Sequence, residues 1–411
     1  MLKMRKMKAS GIEWIGEIPE GWEVVPVKRL CTMQAGKNLT SEQIAPEGTY
    51  PVYGGNGIRG FFSDYNCDGQ FLTVGRQGAL YGNVHKINGK VWATEHAVIT
   101  TPSSYTTLDF LYYLLIGMDL NQYVSSTAAQ PGLAVGTLLN LKTCYPCSTL
   151  EQTQISNYLN AKCSEIDDLL TSVRSSIEEY KKLKQTVITQ AVTKGVRGER
   201  EMKDSGVEWI GEIPAEWKIC PLKRLASIQT GSTPSKNSSE KFYSTNGIPW
   251  IKPNNLGFSY SIEKTAEFIS LDANSNAHIM PPKTVYVGCI GSRIGNSGYS
   301  LISCSCNQQI NALIFNQHMF WKYGWYLTIS QEPQYMLLAN GNVIHIINST
   351  TQGNISCVVP ALVEQKEIAD YLDAKYAEID KLIAKKEQLI KELESYKKSL
   401  IYEVVTGKRE V

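Results

Sequence analysis

The segment Ser10-Gly11-Ile12-Glu13-Trp14-Ile15-Gly16-Glu17-Ile18-Pro19 returns almost unchanged as Ser205-Gly206-Val207-Glu208-Trp209-Ile210-Gly211-Glu212-Ile213-Pro214. The echo runs on through Trp22/Trp217 and Leu30/Leu225 at a constant offset of 195 residues (Ser10 to Ser205). Further along, Glu151-Gln152, Ile155, Leu159 and Ile166-Asp167 reappear as Glu364-Gln365, Ile368, Leu372 and Ile379-Asp380, now offset by 213 (Glu151 to Glu364). Between these anchors Val74-Gly75, Gly78 and Gly82-Asn83 match Val287-Gly288, Gly291 and Gly295-Asn296, also at 213. The second copy therefore carries about 18 more residues (213 minus 195), inserted between Leu225 and Val287. A chain of 411 residues that repeats near its midpoint is a tandem duplication. Similar ends around divergent middles imply one scaffold holding two different working surfaces.

Each copy closes on a long helical pattern. From Glu151 to Thr193 no Gly or Pro interrupts, and Ile166, Leu169, Val173, Ile177, Tyr180 and Val187 recur at helical spacing. Glu364 to Thr406 repeats this with Ile379, Leu382, Leu389, Leu393, Tyr396 and Leu400, interrupted by Lys386. At about 1.5 Å per residue each helix is roughly 65 Å long. An apolar seam of that length needs a partner. An antiparallel intramolecular coiled coil between the copies is the economical arrangement, with packing on the helix's own domain or pairing between chains as alternatives.

The middles, about 23–148 and 218–361, are rich in Gly, Asn, Ser, Thr, Tyr and β-branched residues, with short apolar runs such as Phe71-Leu72-Thr73-Val74. They read as mixed domains of short strands and turns, with a helix near Leu108–Met118. The expected fold is α+β, with two mixed α/β domains, two long helices and a pseudo-two-fold axis. The expected division is 1–148, head plus first domain; 149–195, first long helix; 196–361, linker, repeated head and second domain; 362–411, second long helix. The chain ends where a link back to the first head belongs, so the order looks circular.

The formal net charge of +2 argues neither for nor against nucleic acid, so any basic face must come from local clustering of the 41 Lys and Arg residues. No apolar run approaches the roughly 20 residues of a membrane span, and the basic start leads into no apolar stretch. A cytoplasmic protein with no membrane partner is expected. Of ten cysteines, only Cys144/Cys147 and Cys304/Cys306 are close pairs, without zinc-finger context, so free thiols are expected. The five histidines are scattered, His96 reads as a hydrogen-bonding residue, and no HExxH or Gly-x-Ser-x-Gly motif occurs.

Two Gly-punctuated segments each set a cation among glycines: Gly75-Arg76-Gln77-Gly78 with Tyr81-Gly82-Asn83, and Gly291-Ser292-Arg293-Ile294-Gly295-Asn296. Such loops let backbone approach phosphate closely and offer N–H donors; a tight hairpin packed in the domain is the plainer reading. Asn307-Gln308-Gln309 concentrates amides, which suit adenine edges. Trp250-Ile251-Lys252-Pro253-Asn254-Asn255 and Tyr53-Gly54-Gly55-Asn56-Gly57-Ile58-Arg59 are similar polar-aromatic loops, and turn chemistry alone explains such composition too.

Together, the Ser-Gly-x-Glu-Trp-Ile-Gly-Glu-Ile-Pro heads, Tyr53-Gly54-Gly55-Asn56-Gly57, Cys289-Ile290-Gly291-Ser292-Arg293-Ile294-Gly295 and the Glu-Gln-x-x-Ile-x-x-x-Leu helix openings at Glu151 and Glu364 resemble the specificity subunits of type I restriction–modification systems. The resemblance covers the whole chain. It implies two target-recognition domains that each read half of a split site in double-stranded DNA. It also implies paired helices that set the spacing and dock methyltransferase and restriction (translocase) subunits. The chain itself would be no enzyme and bind no cofactor or metal, with S-adenosylmethionine, ATP and Mg on its partners. DNA contacts are expected from Arg59, Arg76, Gln77 and Asn83 in the first domain, and from Lys252, Asn255, Arg293, Asn296 and Gln308 in the second. A coiled-coil scaffold or adaptor without DNA recognition, and a self-contained DNA methyltransferase or nuclease, are the competing readings.

Overall fold

The computed structural model describes residues 5–77, 81–123, 132–233, 243–244 (backbone only), 247–257, 261–262, 264–270, 277–340 and 345–411. Gly78 of the first Gly-punctuated segment lies outside them. The chain forms two compact units, Met1–Arg174 with Glu387–Val411, and Ser175–Lys386. The two long helices run Thr149–Lys194 and Leu362–Val405, and each contributes one stretch to each unit.

In the first unit the repeated head is a hairpin, Met7–Ala9 against Glu17–Pro19. The reason for its fixed sequence is local. Gly11 and Gly16 both sit at φ 72°, left-handed conformations that residues with a Cβ rarely adopt. The Ser10 hydroxyl closes the loop, accepting from the Ile12 N–H at 3.1 Å and donating to the Gly16 carbonyl at 2.6 Å. The second unit repeats this with Gly206 and Gly211 at φ 72° and 67°, and with Ser205 accepting from Val207 N–H at 3.2 Å.

A four-stranded antiparallel sheet follows, with Cys31–Ala35, Ala97–Pro102, Gln70–Gly75 and Val84–Asn88 side by side in that order. Its counterpart in the second unit is Ala226–Thr230, Ile310–Phe315, Thr284–Gly288 and Ser297–Ser300. The helix expected near Leu108 is Leu108–Gly117, capped by the Thr107 side chain on Phe110 N–H; Trp321–Ser330 is its partner in the repeat. Smaller sheets carry a parallel pair each, Tyr53 beside Ala93 and Ile251 beside Cys306. Those pairings place most of the insertion of the second copy between Ile251 and Thr284.

Each long helix is anchored in its first turn by the same two side chains. Gln152 is fully buried; it accepts from Thr107 N–H at 2.8 Å and donates to the carbonyls of Tyr105 and Pro146, both at 2.9 Å. Gln365 repeats the clamp, accepting from Phe320 N–H at 2.7 Å and donating to His318 and Pro360 carbonyls at 3.0 and 2.9 Å. The adjacent carboxylates receive the head. Trp22 Nε1 donates to Glu151 at 3.0 Å and Arg5 pairs with the same carboxylate. In the second unit Trp217 Nε1 donates to Glu364 at 2.9 Å, Arg200 pairs with it at 2.6 Å, and the guanidinium lies 4.9 Å above the Trp217 ring. Arg5 and Arg200 stand at the same repeat position, offset by 195 (200 minus 5).

Within each unit the helices pair antiparallel. In the first, Asp167 binds Lys397 at 2.6 Å and Arg174 binds Glu394 at 2.8 Å, so numbering rises on one helix as it falls on the other. In the second, Lys184 binds Asp380 at 2.6 Å and Lys386 lies 5.6 Å from the Tyr180 ring. The two Lys–Asp pairs are the same pair repeated. Burial pushes the Lys184 ammonium below its ordinary range, against the opposing pull of Asp380. The seam differs in part from the sequence reading: Leu169, Leu389 and Tyr396 are 54, 41 and 50% exposed. Ile166 and Ile177 are buried as read, Ile155 and Leu159 are buried as well, and Leu170 takes the place read for Leu169. Adjacent leucines fit helical spacing equally well, and the side on which the partner lies decides between them.

All ten cysteines are free thiols, as expected. Burial pushes those of Cys31, Cys144 and Cys357 up to about 12, where they are inert. Replacing Gln365 with Leu strands one N–H and two carbonyls in the core at about 1–3 kcal/mol per unsatisfied group. A fall of several kcal/mol in unfolding free energy is expected in urea denaturation, against little change for an exposed substitution such as Glu378→Gln.

Candidate nucleic-acid interface

The Gly-punctuated segment of the first unit is the turn between the strands Gln70–Gly75 and Val84–Asn88. Backbone bonds shape it: Gly75 N–H donates to Asn83 carbonyl and Gly82 N–H to Gly75 carbonyl, both at 2.8 Å. Gly82 sits at φ 83°. The second unit builds the same turn, with Gly288 N–H on Asn296 carbonyl at 2.9 Å, Gly295 N–H on Gly288 carbonyl at 3.0 Å, and Gly295 at φ 82°. The hairpin reading therefore holds for the described backbone of both segments.

A second loop is brought against the hairpin in the first unit. A Cβ on Gly75 would lie 1.9 Å from the Gly55 carbonyl oxygen, so only glycine admits the turn Tyr53–Arg59 at that distance. Asn83 Nδ2 then donates to Asn56 Oδ1 at 3.0 Å, joining the two loops. Arg76 is held through its backbone, N–H to His96 carbonyl at 2.9 Å and carbonyl to Leu133 N–H at 3.0 Å, while Gln77 bridges to Gly132. The Arg59 stem crosses Gly54 and the residue is exposed. Arg59, Arg76, Gln77 and Asn83 thus come from separate segments onto neighbouring loops. His96 Nε2 lies 3.1 Å from Glu95 Oε1, in keeping with the hydrogen-bonding role read for it.

The second unit uses its side chains differently. Arg293 and Asn296 sit on the hairpin, and Asn296 lies beside Gly257 at the end of the other loop. Lys252 pairs with Glu267 and lies 4.8 Å from the Trp250 ring, and Asn255 Oδ1 accepts from Lys252 N–H at 2.8 Å. Both side chains are engaged inside the domain. Gln308 is exposed, and its amide oxygen takes the Thr233 hydroxyl.

Three contributors escaped the sequence reading. Asn56 and His85 are brought in only by tertiary approach; the His85 ring packs on Gly57 near Tyr53, and burial lowers its pKa. The third is a backbone segment in each unit, at Leu133 and at His345–Ile347, which hydrogen-bonds the flank of the hairpin. Its signal is main-chain only, so side-chain patterns do not reveal it. Among the described residues no group of three His, Cys, Asp or Glu is placed to hold a metal, and no helix is long and apolar enough to cross a membrane.

These features define a class: a tandemly duplicated protein with one α+β domain per repeat, each bearing a glycine-braced hairpin and a share of two long antiparallel helices. The profile of the type I restriction modification DNA specificity domain matches residues 19–179 and again 214–394. The chain belongs to the family of type I restriction–modification specificity subunits. It is 41% identical over 148 residues to the EcoprrI specificity subunit of Escherichia coli, a match spanning 35% of each protein. To the MjaVIII specificity subunit of Methanocaldococcus jannaschii it is 25% identical over 416 residues, 95% of this chain and 93% of that one. Its fold is similar to a chain of a type I R-M system solved in work on complex assembly and conformational transition, with a TM-score of 0.72, 14% identity and coverage of 95% and 99%.

Gly75→Ala forces the two loops of the first unit apart, at about 1–3 kcal/mol or more. Gly136→Ala, which meets nothing within 4 Å on a helix, serves as the control. The first variant should melt at a lower temperature by calorimetry and the second should not.

Proposed function

We propose that this chain chooses the DNA site of a type I restriction–modification complex, each domain reading one half of a bipartite sequence in double-stranded DNA. The observation that carries this is the same backbone hairpin built twice, with different side chains around it. Phosphate contacts supply most of the affinity and base-edge contacts the choice of sequence. Arg59, Arg76, Gln77 and Asn83 serve the first half-site, and Arg293, Asn296 and Gln308 the second. Lys252 and Asn255 take part after release from Glu267 and from the turn. The paired helices set the separation of the half-sites and dock methyltransferase and restriction subunits. The chain performs no chemistry; S-adenosylmethionine, ATP and Mg belong to those partners, in the cytoplasm.

Exchanging residues 218–361 for the matching segment of a relative should change one half of the recognised sequence and leave the other intact, read by mapping methylated positions with the partner subunits present. A change in both halves, or in neither, contradicts the proposal. Inserting four residues near Ser175 lengthens the first long helix by about 6 Å and a little over one turn. The half-sites should persist with a gap about two base pairs longer, each base pair adding about 3.4 Å. An altered half-site with an unchanged gap would show that the helices do not set the spacing.

A further inference from the structure

In the first unit a groove of about 1020 Å³ runs between the domain and the helices, lined among others by His85, Lys86, Asn160, Lys391 and Lys398. A second hollow of about 600 Å³, containing Asn83, His85 and Lys398, continues it up to the hairpin. The corresponding cavity of the second unit is about 390 Å³.

The duplication supplies an internal control for the groove's charge. At the positions of Lys391 and Lys398 the other copy has Glu178 and Gln185, offset by 213 (391 minus 178). Lys86 on the sheet strand corresponds to Tyr299, again at 213 (299 minus 86). The wall hydrogen bond from Tyr326 to Asp373, 2.7 Å, is kept in the first unit as Tyr113 to Asn160, 2.8 Å, with the carboxylate replaced by a neutral amide. Gln185 Nε2 donates to Ile329 carbonyl at 3.2 Å and ties the helix to the second domain, whereas Lys398 makes no such tie. The cations of the second groove reduce to Lys184, held by Asp380 and accompanied by Glu332.

Not every cation in the first groove is available. Lys86 pairs with Asp109, Lys397 with Asp167 and Arg174 with Glu394. Lys391 and Lys398 are exposed, and among the described residues neither has an ion pair or hydrogen bond. They lie about two helical turns apart on one face, roughly 10 Å at about 1.5 Å per residue. That span equals about three nucleotide steps along one strand, at about 3.4 Å of axis per nucleotide.

We propose that this groove is a track for the sugar–phosphate backbone of the bound duplex, with Lys391 and Lys398 as phosphate ligands found in one repeat only. The inference rests on the DNA-recognition reading and extends it from the loops to the second long helix. Continuity favours DNA over an acidic protein surface, because Asn83 and His85 belong both to the hairpin and to the groove wall.

The test is duplex binding by the full chain, alone and with its modification subunits, across a salt series. Lys391→Gln, Lys398→Gln and the double variant are compared with wild type and with Lys385→Gln, outside the groove. Each neutralised phosphate contact removes about 0.9 from the slope of log affinity on log salt, so the double variant should lose about 1.8. Affinity should fall by roughly tenfold on cognate and noncognate duplexes alike, with their ratio unchanged. Gln is helix-compatible at exposed positions, so melting temperatures should coincide. An unchanged slope in a variant that still binds DNA overturns the groove while leaving the recognition reading intact. Unchanged DNA binding with weakened subunit association would give the groove to an acidic partner surface and also overturns it. Absence of duplex binding by the wild-type chain and complex would remove both readings together.

Discussion

Everything else in the structure hangs from the first turn of each long helix. There a buried amide holds three main-chain groups of the domain, and the carboxylate before it holds the Trp and Arg of the head. Glu364 is buried, its side chain 3% exposed, so removing one of its partners is strongly destabilising, whereas Glu151 keeps 27% exposure and depends less on its own. The head, the domain and the helix of a unit are thus made interdependent by two adjacent residues. Glu-Gln recurs at residues 151 and 364 for that reason, while the neighbouring surface positions drift.

Around this anchor the two units divide labour between backbone and side chain. The hairpins are matched bond for bond through Gly75/Asn83 and Gly288/Asn296, and the close approaches at Gly36 and Gly231 match as well, each with carbonyls 2.2–2.3 Å from a built Cβ. Side chains on the same frame have diverged. One unit joins its loops through Asn83 and Asn56; the other stacks Lys252 on Trp250 and turns it toward Glu267. The proposed reading of two unlike half-sites calls for this combination of equal frames and unequal surfaces.

The duplication, the α+β character and the helical pair were legible because they rest on short-range physics. Left-handed glycines, buried tryptophans and a long uninterrupted apolar period leave marks in the sequence itself. The seam was legible only to within one residue: Leu169 and Leu170 both satisfy helical spacing, and the neighbouring helix selects Leu170. The loop chemistry was less legible. That the loops carrying Arg59, Arg76, Gln77 and Asn83 are neighbours depends on Gly55 meeting Gly75, a contact between backbones far apart in sequence. Asn255 carried an ambiguous signal, since an amide next to proline suits a turn as well as a base, and here its oxygen closes the turn.

The hairpin held by main-chain bonds has a consequence for how such a surface changes over generations. Gly75 N–H and Gly82 N–H supply the geometry, so the shape of the turn rests on main-chain bonds. Exposed substitutions on a frame held in this way fall in the near-neutral part of the stability distribution. Under the proposed DNA-recognition role, sequence preference can therefore drift without passing through unfolded intermediates, whereas a Cβ at Gly75 or Gly82 would meet atoms 1.9 or 2.4 Å away. The surface is mutable because the joint under it is not.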